Sequence, residues 1–132
     1  MSTFDRDDYC FACGPRNPIG LKLQIQKTDE GAKTVFIPRQ EYQGFHKVLH
    51  GGITATLLDE VMVWAAFLHG YPVATAKLEI TFRRPIAVET PITAYARLVD
   101  IRDRRIHAEA IAEQNGKKVA QARAILARIA SK

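Results

Sequence analysis

Apolar and polar residues alternate along this chain with two distinct periods. Leu21, Leu23 and Ile25 alternate with Lys22, Gln24 and Gln26, the period of a half-buried strand. Asp29-Glu30-Gly31 marks a turn, and Thr34-Val35-Phe36-Ile37 begins a second strand that stops before Pro38. Residues 39–52 read as a loop holding Gly44, Gly51 and Gly52. From Ile53 to His69 the period lengthens. Ile53, Leu57, Val61, Trp64 and Leu68 recur at helical spacing, and Gly70 with Pro72 closes the element. Ala55, Met62, Val63 and Ala66 make the other side apolar as well, the pattern of a helix enclosed by its own protein. A membrane span would want about 20 apolar residues, and Asp59-Glu60 interrupts this stretch.

After the helix the period returns to two. Ala74, Ala76, Leu78, Ile80 and Phe82 alternate with Val73, Thr75, Lys77, Glu79 and Thr81. Pro91–Ile101, Ile106–Glu113 and Lys118–Ile129 predict three further strands, joined by tight turns at Asp103-Arg104-Arg105 and Asn115-Gly116. Tight turns force antiparallel pairing, because a parallel pair needs a long crossover. Ala74, Ala76, Ala108, Ala110, Ala122 and Ala124 are small enough to leave room for a helix on one face. The predicted class is α+β: a curled antiparallel β-sheet wrapped around one central α-helix. Residues 1–19 are polar and turn-rich, with Gly14-Pro15 and Asn17-Pro18, and read as an irregular leader to a single domain spanning residues 1–132.

Composition narrows the class. The chain has 132 residues, 47% hydrophobic and 25% charged, which suits one globular domain and excludes a disordered or collagen-like chain. Two cysteines cannot build a disulfide scaffold, and Asp5, Asp7 and Asp8 sit where a signal peptide would begin. The expected compartment is therefore the reducing cytoplasm. Nineteen Lys and Arg against fourteen Asp and Glu give a net charge of +5, which suits a phosphorylated small molecule. Nucleic acid is the weaker partner, since there is no five-residue basic run and no basic-aromatic interleaving.

Asp59 carries the sharpest chemical signal. At about 100° per residue it points roughly opposite the Ile53/Leu57/Val61/Trp64 stripe, among Ala55, Met62 and Ala66. A carboxylate in apolar surroundings is costly unless paired, and desolvation raises its pKa toward the range of a useful base or nucleophile. The alternative is a carboxylate at a helix edge that finds solvent or a partner. His50-Gly51-Gly52 stands just before the helix, where free N–H groups can polarise a carbonyl. Polarising amides with a carboxylate nine residues after His50 describe acyl transfer chemistry.

The run Val48-Leu49-His50-Gly51-Gly52-Ile53-Thr54-Ala55-Thr56-Leu57-Leu58-Asp59-Glu60 closely resembles the signature of hotdog-fold acyl-CoA thioesterases of the PaaI type. Thr75-Ala76-Lys77-Leu78-Glu79-Ile80-Thr81-Phe82-Arg83-Arg84-Pro85-Ile86 is similar to the strand and basic-Pro turn that follow that helix. Cys10-Phe11-Ala12-Cys13-Gly14, with Asn17-Pro18-Ile19-Gly20-Leu21, is similar to the leader of one branch. The resemblance implies roles. Asp59 would be the catalytic carboxylate, as nucleophile or as general base on water. The Gly51 N–H would polarise the thioester carbonyl, with Gly52 beside it, and His50 would orient the scissile group. Thr75 matches a hydroxyl position facing the site. Many relatives carry Asn or Gln several residues before the His; here Gly44 stands six before His50, and the neighbouring Gln43 is the residue left for that role.

The same resemblance implies an acyl-CoA substrate, hydrolysed without metal or cofactor. Arg83 and Arg84, with Arg102, Arg104 and Arg105, become candidates for the CoA phosphates, because Arg forks suit phosphate oxygens. Trp64, Met62 and Phe67 are candidates for the acyl pocket, or are plain core. Glu60 is not at the family's catalytic position and reads as structural. His46, His69 and His107 show no partner in the sequence and read as surface or structural. Cys10-x-x-Cys13 is half of a zinc-ribbon pattern that no second pair completes, so the cysteines read as structural, with a metal shared between subunits and a redox pair as the lesser readings. A homo-oligomer is expected, a dimer or a dimer of dimers. One concave sheet cannot cover Ile53, Met62, Val63 and Ala66 together, and the family joins two units with a site between them. Two rivals remain on the same fold: a dehydratase or hydratase acting on an acyl thioester, and a non-catalytic acyl-CoA-binding module.

Overall fold

The computed structural model describes residues 7–129 and sets six strands around one helix. In chain order these are β1 (Ile25–Lys27), β2 (Gly31–Phe36), α1 (Gly51–Leu68), β3 (Val73–Phe82), β4 (Ile92–Ile101), β5 (Arg105–Gln114) and β6 (Lys117–Arg128). The strands form a single antiparallel sheet in the order β1-β2-β4-β5-β6-β3, so the helix lies in the crossover between β2 and the far edge.

Alanine makes this sheet able to hold a helix. Ala94, Ala96, Ala108, Ala110, Ala112, Ala120, Ala122 and Ala124 line its concave face, none more than 5% exposed. Their short side chains let α1 approach the sheet closely, and Leu57, Leu58, Val61, Met62, Ala65 and Ala66 are wholly enclosed in return. By length and mean hydropathy (1.4) this helix would suit a membrane, but here it is the core of its own fold. The β5–β6 hairpin turns at Asn115 and Gly116, both with positive φ (54° and 75°), as an Asn-Gly pair demands.

Three expectations need correction. First, the buried face of α1 is rotated by roughly a quarter-turn from the predicted stripe. Thr54, Leu58 and Ala65 are core, whereas Ile53, Trp64 and Leu68 are only half-buried. Second, Ala74 and Ala76 do not face the helix. A bulge between Thr75 and Lys77 shifts the alternation, so that Val73 and Thr75 face inward before it and Leu78 and Ile80 after it. Third, Leu21 and Leu23 are buried but lie outside β1, because their N–H groups donate to the leader at Phe11 O and Ala12 O, both at 2.9 Å. The leader is irregular as expected, over its described part, yet it is packed: Ala12 is 4% exposed and Asn17 8%.

Candidate active site

The helix start is held from three sides. His50 is the N-cap of α1, and its Nδ1 accepts the Gly52 N–H at 2.9 Å. That bond leaves the ring proton on Nε2. The His50 N–H donates to Tyr42 O at 2.9 Å, and the Leu49 N–H to Ile86 O at 2.7 Å. Gln114, buried, clamps the adjoining loop, accepting from the Ala87 N–H and donating to Ala87 O, both at 2.9 Å. Gly51, the first helical residue, is exposed, and among the described residues its N–H has no acceptor. A β-carbon there would meet the Phe82 ring at 3.4 Å, so the end of β3 lies over the helix start. The Gly51 N–H stands at the positive end of the helix dipole.

Asp59 sits two turns further on, at the border between the enclosed face and the open flank of α1. Its Oδ1 accepts the Thr75 hydroxyl at 2.6 Å, and among the described residues nothing donates to Oδ2. Burial pushes the Asp59 carboxyl above the usual carboxylate range, and the Thr75 hydroxyl partly offsets that shift. The bulge beside Thr75 places that hydroxyl on the helix side of β3, a use of β-bulges seen next to functional sites. A half-buried carboxylate with one free oxygen can attack a carbonyl carbon or take a proton from water.

The other predicted residues divide. Gln43 is half-buried but turned into its own loop, its Oε1 accepting the Lys47 N–H at 3.2 Å. Gly44 packs under His50 instead, with a hypothetical β-carbon 3.3 Å from His50 Cα. Arg83 and Arg84 are exposed at the end of β3 that covers Gly51, with Arg83 Nε donating to Gln121 Oε1 at 2.9 Å. Arg102, Arg104 and Arg105 are not near them. Phe82 pairs with Ala120 and Arg105 with Ala127 on the same strand β6, which separates the two groups by about 23 Å at 3.3 Å per residue. Arg102 is also paired with Asp100 at 2.8 Å, so this second cluster does not join Arg83 and Arg84 within one chain.

Met62 is fully buried and belongs to the core, while Trp64 and Phe67 remain on the open flank. His69 caps the far end of the helix with its backbone N–H, which donates to Ala66 O, while its Nε2 contacts Thr28 O and Gly31 O at 3.0 and 3.1 Å, a structural role. One cluster was invisible in the sequence. Glu60 receives the Trp64 indole N–H at 3.2 Å and lies beside both Cys10 and Cys13, three donor atoms that could hold a metal ion. No local motif links residues that far apart.

Residues 46–120 match the family model described as the thioesterase superfamily. This chain belongs to the thioesterase superfamily. The human acyl-coenzyme A thioesterase THEM5 is 27% identical over 99 residues, 75% of this chain and 40% of the relative. The chain thus spans about two-fifths of the length of that curated relative. A solved structure of a mutant of the phenylacetic acid degradation protein PaaI from Thermus thermophilus superposes with a TM-score of 0.76 at 22% identity, covering 83% of this chain and 95% of that one. A hypothetical thioesterase from Streptococcus pneumoniae TIGR4, solved with coenzyme A, gives a TM-score of 0.78 at 15% identity over 83% of this chain and 90% of that one. These two structures share the fold: one helix inside a curled antiparallel sheet, the hotdog arrangement expected above.

Proposed function

We propose that this protein hydrolyses acyl-CoA thioesters to a carboxylic acid and free CoA, using Asp59 at a site assembled from two copies of the chain. The observation that carries the reading is the Asp59–Thr75 pair: a half-buried carboxylate, one oxygen held by a hydroxyl and the other free. Family membership and the similarity to an acyl-coenzyme A thioesterase support the substrate class.

Geometry supports the second copy. Gly51 and Asp59 are eight residues apart on one helix, about 12 Å along its axis at 1.5 Å per residue. A reacting carbonyl needs its nucleophile within about 3.5 Å and its polarising N–H within about 3 Å. One chain cannot supply both. A two-fold partner with its helix antiparallel would bring one copy's Gly51 N–H to the other's Asp59. Ile53, Val63 and Phe67 on the open flank supply apolar surface for that contact, whereas Met62 and Ala66, also expected there, are already enclosed within one chain.

In the proposed reaction the Gly51 N–H hydrogen-bonds to the thioester oxygen as it gains charge. The free Asp59 oxygen either attacks the carbonyl carbon, giving a mixed anhydride that water then hydrolyses to release the acid and regenerate Asp59, or deprotonates a water that attacks the carbon directly. CoA thiolate leaves and takes up a proton. His50, exposed beside Gly51, positions the thioester through Nε2–H, and Arg83 and Arg84 meet CoA phosphate near the same helix start. A thiol-release assay over short, medium, long and aromatic acyl-CoAs, with product analysis, tests the reading. Equal amounts of free CoA and acid are expected. A changed acyl chain without thiol release means a hydratase, and tight binding without turnover means a binding module; either outcome overturns the proposal.

A further inference from the structure

The hydrolytic site leaves two thiols unused. Neither Cys10 nor Cys13 is in a disulfide, both are half-buried, and their sulfurs lie with a Glu60 carboxylate oxygen in a group whose three donor atoms are all within 4.8 Å of one another. Glu60 arrives from the middle of α1, 50 residues after Cys10.

The cluster is built rather than incidental. The chain doubles back between the thiols, with the Gly14 N–H donating to Cys10 O at 2.8 Å and the Arg16 N–H to Asp8 O at 3.0 Å. Any side chain on Gly14 would collide with the backbone of Asp8 and Cys10, so the turn demands glycine. Ala12 pins the turn into the core. On the helix side, Glu60 Oε2 takes the Trp64 indole proton at 3.2 Å and stands 3.8 Å from Cys10 Sγ. Two ligands at about 2.3 Å (sulfur) and 2.1 Å (oxygen) from one tetrahedral centre lie about 3.6 Å apart. The observed 3.8 Å, spanned with the thiol protonated by an Sγ–H···Oε2 hydrogen bond, is compatible with two corners of a coordination tetrahedron.

We propose that Cys10, Cys13 and Glu60 form a zinc site that staples the leader to α1 beside Asp59. Two thiolates and one carboxylate suit Zn²⁺ rather than Mg²⁺ or Ca²⁺, which take oxygen ligands. The fourth position is left to water or another small ligand. On binding, each thiol gives its proton to solvent as its sulfur joins the ion, and Glu60 joins through a carboxylate oxygen. About two protons are therefore released per ion. The site does not depend on the hydrolytic reading.

The full-length chain, reduced and freed of metal with a chelator, is titrated with Zn²⁺ against a chromophoric competitor and with Co²⁺ in a spectrophotometer. The expected result is about one ion per chain, about two protons released, and a thiolate-to-cobalt charge-transfer band with tetrahedral visible absorption. Zinc should also raise Tm by about 5 °C. Cys13→Ser should abolish stoichiometric binding. Glu60→Gln keeps both thiols and should weaken zinc by about tenfold or more. Asp59→Asn, one residue away, should bind zinc like the parent. No cobalt band and no uptake up to about 100 µM zinc would overturn the proposal. So would a Cys10–Cys13 pair that takes up no ion after reduction, or Glu60→Gln protein that binds as tightly as the parent.

Discussion

Two opposing influences act on Asp59: burial raises its pKa and the Thr75 hydroxyl lowers it. Replacing Thr75 by Val removes the lowering influence, so the acid limb of the kcat/KM profile should move to higher pH, because Asp59 must be ionised to react. An unmoved limb would mean that another group sets it. The same raised pKa carries a stability cost. A carboxyl whose folded pKa exceeds its unfolded value holds its proton more tightly when folded. Its contribution is complete below the ordinary carboxylate pKa of about 3.9 and is lost as pH rises through the raised value. Asp59→Asn should therefore have a higher Tm than the parent at pH 7, with the gain gone below about pH 4. Thermal melts across that range check it, and a variant less stable at pH 7 would contradict it. At this scale the sequence was informative: His50, Gly51, Asp59 and Thr75 were legible as a motif. The Asp59–Thr75 bond was not, since it depends on a bulge at Ala76 that alternation alone cannot show.

Strand alternation placed β4, β5 and β6 within one residue of their observed ends, because each buries one face and exposes the other. The helix was harder. α1 is apolar nearly all round, so periodicity announces a helix without saying which side meets the sheet. The position of the Arg102–Arg105 group was hidden for a related reason: it follows from which strands pair, and β3 pairs with β6 rather than with its neighbour in sequence. The helix start offers a test that separates structure from chemistry. His50 caps α1 through Nδ1, and as an exposed residue it is also the proposed orienting group. His50→Ala should lose the cap, at about 1 kcal/mol, and lose activity. His50→Asn restores a good cap without the imidazole, so its Tm should return toward the parent while turnover stays low. Recovery of both together would reduce His50 to a cap.

At the scale of the whole molecule, the account rests on a site that one chain cannot complete. Gly51→Pro removes the polarising N–H at a position where proline suits a helix, and His50 before it already has the extended backbone (ψ 134°) that a following proline requires. Gly51→Pro and Asp59→Asn chains, each inactive alone, should regain about a quarter of parental activity after random subunit exchange in a two-fold dimer. No recovery in verified mixed dimers, or a fully active monomer by light scattering, would place the whole site in one chain.

The central claim, that Asp59 performs the hydrolysis, is tested most directly by acyl-CoA turnover of Asp59→Asn relative to the parent, at equal concentrations of folded protein shown by circular dichroism. The account predicts a loss of about a hundredfold or more with the fold intact, since the amide can neither attack nor take a proton. Near-parental turnover by a folded Asp59→Asn protein would contradict it.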